Sequence, residues 1–154
     1  MYKANFDAAY FGNLGMAGIR VIVRDSEGEI IAALSQKIHE PHSVDDAEAL
    51  ACNRSVAFTK ELCLFSVIVE GDSKRVVQVV TNKGENLTLF GHVIKEIQGS
   101  CSSFTRISFQ CVRREGNKLA HTLARKAVVF ADTDFWVEEL PTDLEDAFQM
   151  DLID

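Results

Sequence analysis

Residues 64–69 read Leu-Phe-Ser-Val-Ile-Val, a short and nearly all-apolar run. Such a run is typical of a strand buried on both faces. It follows an Ala- and Leu-rich stretch, residues 46–61, in which Ala47, Leu50, Ala51, Ala57 and Phe58 are spaced for one helical face. A helix that leads into an interior strand implies a crossover, so this strand is expected to run parallel to an earlier one.

The earlier strands are legible. Residues 2–7 suit a short strand, and Phe11-Gly-Asn-Leu-Gly-Met16 carries two glycines and an Asn, a turn signal. Residues 17–24 hold the β-branched run Ile19, Val21, Ile22, Val23. Asp25-Ser-Glu-Gly28 reads as a turn and residues 29–36 as a third strand, completing an antiparallel meander. Residues 39–43 form a loop broken by Pro41. Ser43 or Asp45 can cap the following helix, and Glu48 stands three residues after Asp45, as in a capping box. Beyond the apolar run, helices are expected over 73–81, 89–100 and 117–130, with a strand over 106–112 that alternates Ile107, Phe109 and Cys111 with polar residues. The order β-β-β-α-β-α-α-β-α predicts an α/β domain with a five-stranded mixed sheet.

A length of 154 residues suits one domain, and 47% apolar residues can fill its core. No apolar run approaches a membrane span, and the first residues lack the apolar stretch of a secretory signal. An intracellular protein is therefore expected, nuclear or cytoplasmic, with a monomer assumed. The four cysteines form no C-x-x-C pair and lie among apolar residues, which predicts reduced, packed thiols.

The net charge of −7 argues at first against a nucleic-acid partner. Its distribution reverses the argument. Residues 132–154 hold nine acids and no Lys or Arg, which leaves 14 acids against all 16 bases in residues 1–131. A mildly basic body carries an acidic tail. The expected division is a domain over 1–131 and an acidic extension over 132–154 that packs partly on it.

Asp7 ends one predicted strand and Asp72 another, and α/β sheets build their sites at such carboxyl ends. Glu48 lies in the first turn of the helix between them. If the two strands are neighbours, three carboxylates converge. Their mutual repulsion is several kcal/mol at low effective dielectric, roughly, and a bound Mg²⁺ or Mn²⁺ is the usual remedy. Each acid also has an ordinary use: Asp7 as a turn former, Glu48 as a capping carboxylate, Asp72 as a helix N-cap.

Five motifs in register add weight. Lys3-Ala-Asn-Phe-Asp7-Ala-Ala9, Ala17-Gly18 through Val23-Arg24-Asp25, Asp46-Ala-Glu48-Ala-Leu50-Ala, Val67-Ile-Val-Glu-Gly-Asp72-Ser73, and Val112-Arg-Arg-Glu-Gly-Asn117-Lys-Leu-Ala120-His121-Thr-Leu-Ala124 together resemble the ribonuclease H type 1 family, in its plant, retroelement-related branch. The resemblance runs from about residue 3 to 130. It implies the ribonuclease H-like fold and cleavage of the RNA strand of RNA–DNA hybrids with two divalent ions, Mg²⁺ or Mn²⁺. The family's ligand positions fall on Asp7, Glu48, Asp72 and His121. Arg113 and Arg114, with Ser73 and Asn117, are the candidate nucleic-acid contacts, although a solvated loop and a helix cap explain Arg113, Arg114 and Asn117 as well.

Two positions depart from the family's full pattern. His121 stands where a fourth carboxylate is usual, which suits Mn²⁺ better than Mg²⁺ and weakens the second ion. Cys111 stands where some members carry a His that helps turnover. Slow catalysis or a Mn²⁺ preference is expected. The alternative is a ribonuclease H-fold module that binds nucleic acid or protein without useful turnover. His39 and His42, in the loop around Pro41, are assigned no role.

Overall fold

The structure, a computed structural model, describes residues 1–39, 41–82 and 91–113, and the backbone of 133–137. Its first three strands are β1 (Tyr2–Phe11), β2 (Met16–Arg24) and β3 (Ile30–His39), paired antiparallel in sequence order. The turn between β2 and β3 is held by Asp25, whose Oδ1 accepts from the backbone N–H groups of Glu27 and Glu29 at 2.9 and 3.0 Å. Gly28 supplies the left-handed φ of 86° that closes it. β1 and β3 run longer than the sequence suggested, because their ends pair through Met16, which faces Phe11 on one side and His39 on the other.

Helix α1 (Val44–Glu61) then crosses over to β4 (Ser66–Gly71), followed by α2 (Lys74–Thr81), α3 (Gly91–Ser100) and β5 (Arg106–Cys111). The sheet order is β5-β4-β1-β2-β3-β6, with β4 parallel to β1 and β5 parallel to β4. The expected crossover and mixed sheet are thus present. β4 starts two residues later than the apolar run, because the end of α1 consumes its beginning. Cys63 adopts a φ of 60°, and Leu64 N–H still bonds to the Thr59 carbonyl at 2.9 Å. Phe65 is exposed on this turn and meets Phe104 edge-to-face at 6.0 Å.

β6 (Thr133–Val137) was not foreseen. This piece of the acidic extension pairs antiparallel with β3, from Gln36↔Thr133 to Ala32↔Val137, so the sheet has six strands among the described residues. The helix expected over 117–130 and the remainder of 132–154 lie outside the described residues.

One sheet face packs on the helices. Ala4 and Phe6 of β1, Ile19, Val21 and Val23 of β2, Leu34 of β3 and Val67 and Val69 of β4 join Val56 of α1, Val76 of α2 and Ile94 and Ile97 of α3 in one cluster. Each such buried aliphatic or Phe side chain contributes about 1.5–3 kcal/mol. The opposite face carries buried polar groups: Asn5, Asp7, Arg20, Ser35 and Glu70. The cysteines correct the expectation of four packed thiols. Cys52 is buried and Cys101 half-buried, but Cys63 and Cys111 are exposed. Burial raises the thiol pKa of Cys52 and Cys101.

Candidate metal centre

The parallel pairing of β1 and β4 ends at Asn5↔Glu70. Two residues beyond that pair stand Asp7 and Asp72: Asp72 directly follows β4, as expected, whereas Asp7 does not end its strand, because β1 runs on to Phe11 in its pairing with β2. Phe6 anchors the middle of β1 in the core, and alternation turns Asp7 to the other face. Gly71 fits the close approach. A Cβ there would lie 2.6 and 2.7 Å from Cε2 and Cε1 of the Phe6 ring and would overlap Cζ.

Serine caps leave Glu48 and Asp72 without capping roles. Ser43, not Asp45, caps α1, with its Oγ accepting from Asp46 N–H at 3.0 Å, while Asp46 Oδ2 accepts from His42 N–H at 2.9 Å. Glu48 therefore has no capping duty and faces the sheet. Likewise Ser73, not Asp72, caps α2, its Oγ accepting from Val76 N–H at 3.3 Å.

Ligand oxygens of Asp7, Glu48 and Asp72 lie within 4.8 Å of one another. Asp7 is 1% exposed and Glu48 7%, while Asp72 is half-buried. Two full negative charges at that separation repel by about 3.5 kcal/mol or more at an effective dielectric near 20. The Glu48 carboxyl responds: its pKa is pushed up to about 9, first by burial, then by the charges of Asp7 and Asp72 and a hydrogen bond shared with Asp7, against a smaller opposing effect of the Ala8 backbone N–H. Its Oε2 is buried with no hydrogen-bond partner among the described residues. An all-oxygen donor set, an orphaned carboxylate oxygen and surplus negative charge fit a hard divalent cation.

The neighbouring candidates are distributed as follows. Cys111 pairs with Gly71, and Val112 N–H donates to the Gly71 carbonyl at 2.8 Å, so β5 ends alongside Asp72. Arg113 follows, exposed. Ser73 is half-buried beside Asp72, and its Oγ accepts from Val76 N–H. Arg114, Asn117 and His121 lie outside the described residues. His39 ends β3 and His42 precedes α1, and neither joins the acidic group.

Other residues shape the site without having been singled out from sequence. Asn5 Nδ2 donates to Glu70 Oε2 at 3.0 Å between the two ligand-bearing strands, and Lys3 Nζ lies 3.6 Å from Glu70 Oε1. Arg24 Nη1 reaches Asn5 Oδ1 at 3.5 Å. Burial lowers the Arg24 pKa, and the Glu70 charge partly opposes this. The available signal was spacing: Asn5 and Asp7, like Glu70 and Asp72, are two apart and so share a face.

Comparison with known proteins agrees with this architecture. No curated protein matches the chain. Among solved structures, ribonuclease H1 from the halophilic archaeon Halobacterium salinarum is similar at a TM-score of 0.78 and 23% identity, over 84% of this chain and 98% of that one. The N-terminal ribonuclease H domain of a Mycobacterium tuberculosis protein is similar at a TM-score of 0.74 and 24% identity, over 83% and 93%. LC11-RNase H1, solved in complex with an RNA/DNA hybrid, is similar at 0.71 and 23%, over 84% and 97%. These likenesses establish a ribonuclease H-like fold. Residues 5–127 match the reverse transcriptase-like family, and the chain belongs to that family.

Proposed function

We propose that this chain is a metal-dependent endonuclease of the ribonuclease H type, acting on the RNA strand of RNA–DNA hybrids. The observation that carries the reading is the meeting of Asp7, Glu48 and Asp72 within 4.8 Å, with an orphaned oxygen on Glu48. These three would hold Mg²⁺ or Mn²⁺, and His121 would be the fourth ligand, favouring Mn²⁺ and a weaker second ion. When bound, the ions activate the attacking water and stabilise the leaving 3′ oxygen.

The chain's own groups do the rest. A cation held there would favour the ionised form of the Glu48 carboxyl, so metal binding would be accompanied by proton release below about pH 9. Asp7 is fixed within paired β1 and Asp72 directly follows paired β4, which keeps the ligand oxygens from drifting apart. Arg113 and Arg114 meet phosphates, Ser73 donates its hydroxyl to the backbone, and Asn117 orders the loop. Recognition rests on the shape of the hybrid and its 2′-hydroxyls. The acidic segment 132–154 is an extension of this domain, and its residues 133–137 supply β6. No described helix is long and apolar enough to cross a membrane.

The test is cleavage of a labelled RNA–DNA hybrid in Mg²⁺ and in Mn²⁺, beside an Asp7→Asn, Asp72→Asn double variant. Cleavage by the native chain that the variant abolishes supports the reading. No cleavage with either ion, in folded protein, replaces it with a module that binds nucleic acid or protein without turnover.

A further inference from the structure

Arg20, in the middle of β2, is the largest fully buried side chain among the described residues, with no exposed surface. Its sequence neighbours Ile19 and Val21 belong to the core on the helix side, so alternation turns Arg20 to the other face. That is the face of Asp7. The two residues are direct cross-strand partners in the β1–β2 register, which sets their Cβ atoms about 4.5–5.5 Å apart. On its other side Arg20 is opposite Ser35 of β3. Among the described residues, the other positions that border Arg20 on this face carry no acid. A fully buried guanidinium requires a countercharge, since an isolated one is several kcal/mol unfavourable, roughly.

We infer that Arg20 is a built-in countercharge of the carboxylate group, standing across from Asp7 and doing in the metal-free protein part of what a divalent ion does in the loaded one. The inference deepens the metal-centre reading and rests on it. Two consequences follow from Coulomb's law. The site stays assembled without metal, because one of its acids is already paired. It also binds divalent ions more weakly than an unpaired carboxylate trio, because every incoming cation meets a fixed positive charge behind Asp7.

The experiment is a thermal double-mutant cycle in EDTA with Asp7→Asn, Arg20→Met and the double variant, followed by Mn²⁺ titration read by electron paramagnetic resonance. In an unpaired acidic cluster, Asp7→Asn relieves repulsion and raises Tm. With Arg20 as its partner, Asp7→Asn strands a buried cation and lowers Tm by about 5 °C or more. Arg20→Met added to it restores most of that loss. A rise in Tm on Asp7→Asn overturns the inference, as does an additive cycle. In the titration, Arg20→Met binds Mn²⁺ at least about tenfold more tightly than the native chain, while Arg20→Lys stays close to native. Equal affinity in the native chain and Arg20→Met overturns the inference and leaves the metal centre standing. Absence of binding in both overturns the two together. Should Arg20→Met fail to fold, the sign of the Asp7→Asn shift decides alone.

Discussion

Gly71→Ala adds one methyl at the point where β4 touches the Phe6 ring, and the sign of its effect tests the packing behind the site. The backbone of Gly71 is not left-handed, so alanine is allowed there. In open space the change would stabilise the protein by about 0.4–1 kcal/mol, through a less flexible unfolded chain. Here the new Cβ falls 2.6 and 2.7 Å from Cε2 and Cε1 of a ring that is itself fully buried. Ordinary carbon contact needs about 3.5 Å, so something must move by about 1 Å. Overpacking of this kind costs about 1–3 kcal/mol, enough to reverse the sign. Phe6 and Gly71 immediately precede Asp7 and Asp72, so the displacement reaches both ligands, and misplacement on that scale can lower a rate by roughly 10²-fold. Urea unfolding in EDTA gives the first quantity, and hybrid cleavage with Mn²⁺ titration gives the second. Phe6→Leu removes the ring atoms that clash. The double variant should therefore be more stable than the two single losses predict, by about 1 kcal/mol or more. A Gly71→Ala protein as stable as native or more so, with an additive double variant, would refute the close-packing argument.

Further outcomes follow from the same geometry. The Glu48 pKa is raised in the folded chain, from 4.5 to about 9, so its contribution to metal-free stability is full below about pH 4.5 and is lost as pH rises toward 9. Denaturation in EDTA across that window should show a loss of up to about 1.4 kcal/mol per pH unit, and Glu48→Gln should flatten it. Ser43→Ala removes the cap of α1 and should cost about 1 kcal/mol in urea unfolding, with weaker Mn²⁺ binding because Glu48 rides on the same helix. His121→Asp should shift the preference from Mn²⁺ toward Mg²⁺ in cleavage assays. Cys111→His, at the exposed end of β5 beside Asp72, should raise turnover; an unchanged kcat would remove Cys111 from the account of slow catalysis.

The fold was largely legible because its signals are local. The apolar run at residues 64–69, the two glycine-bearing turns and the Ala-rich helix fix a crossover and a mixed sheet almost unaided. The three acids were legible as a set, but not their freedom to act. Ser43 with Asp46 and Asp45 with Glu48 both have capping spacing, and only the actual start of α1 at Val44 decides between them. Arg20 was illegible for another reason. A charge in a strand reads as a solvent-facing residue unless the covering of that face is known. β6 was missed because five residues among acids carry no periodicity; its strand character comes from the β3 edge it pairs with.

That pairing separates the unit of ancestry from the unit of solubility. The family match ends at residue 127, yet β6 begins at Thr133. A chain trimmed to the matched region keeps every proposed ligand and loses the strand that satisfies the β3 backbone from Ala32 to Gln36. An unpaired strand edge of that length is a template for another chain. β6 thus covers the part of β3 that would otherwise be open to another chain, and a version trimmed at residue 127 is expected to self-associate more readily than the full chain.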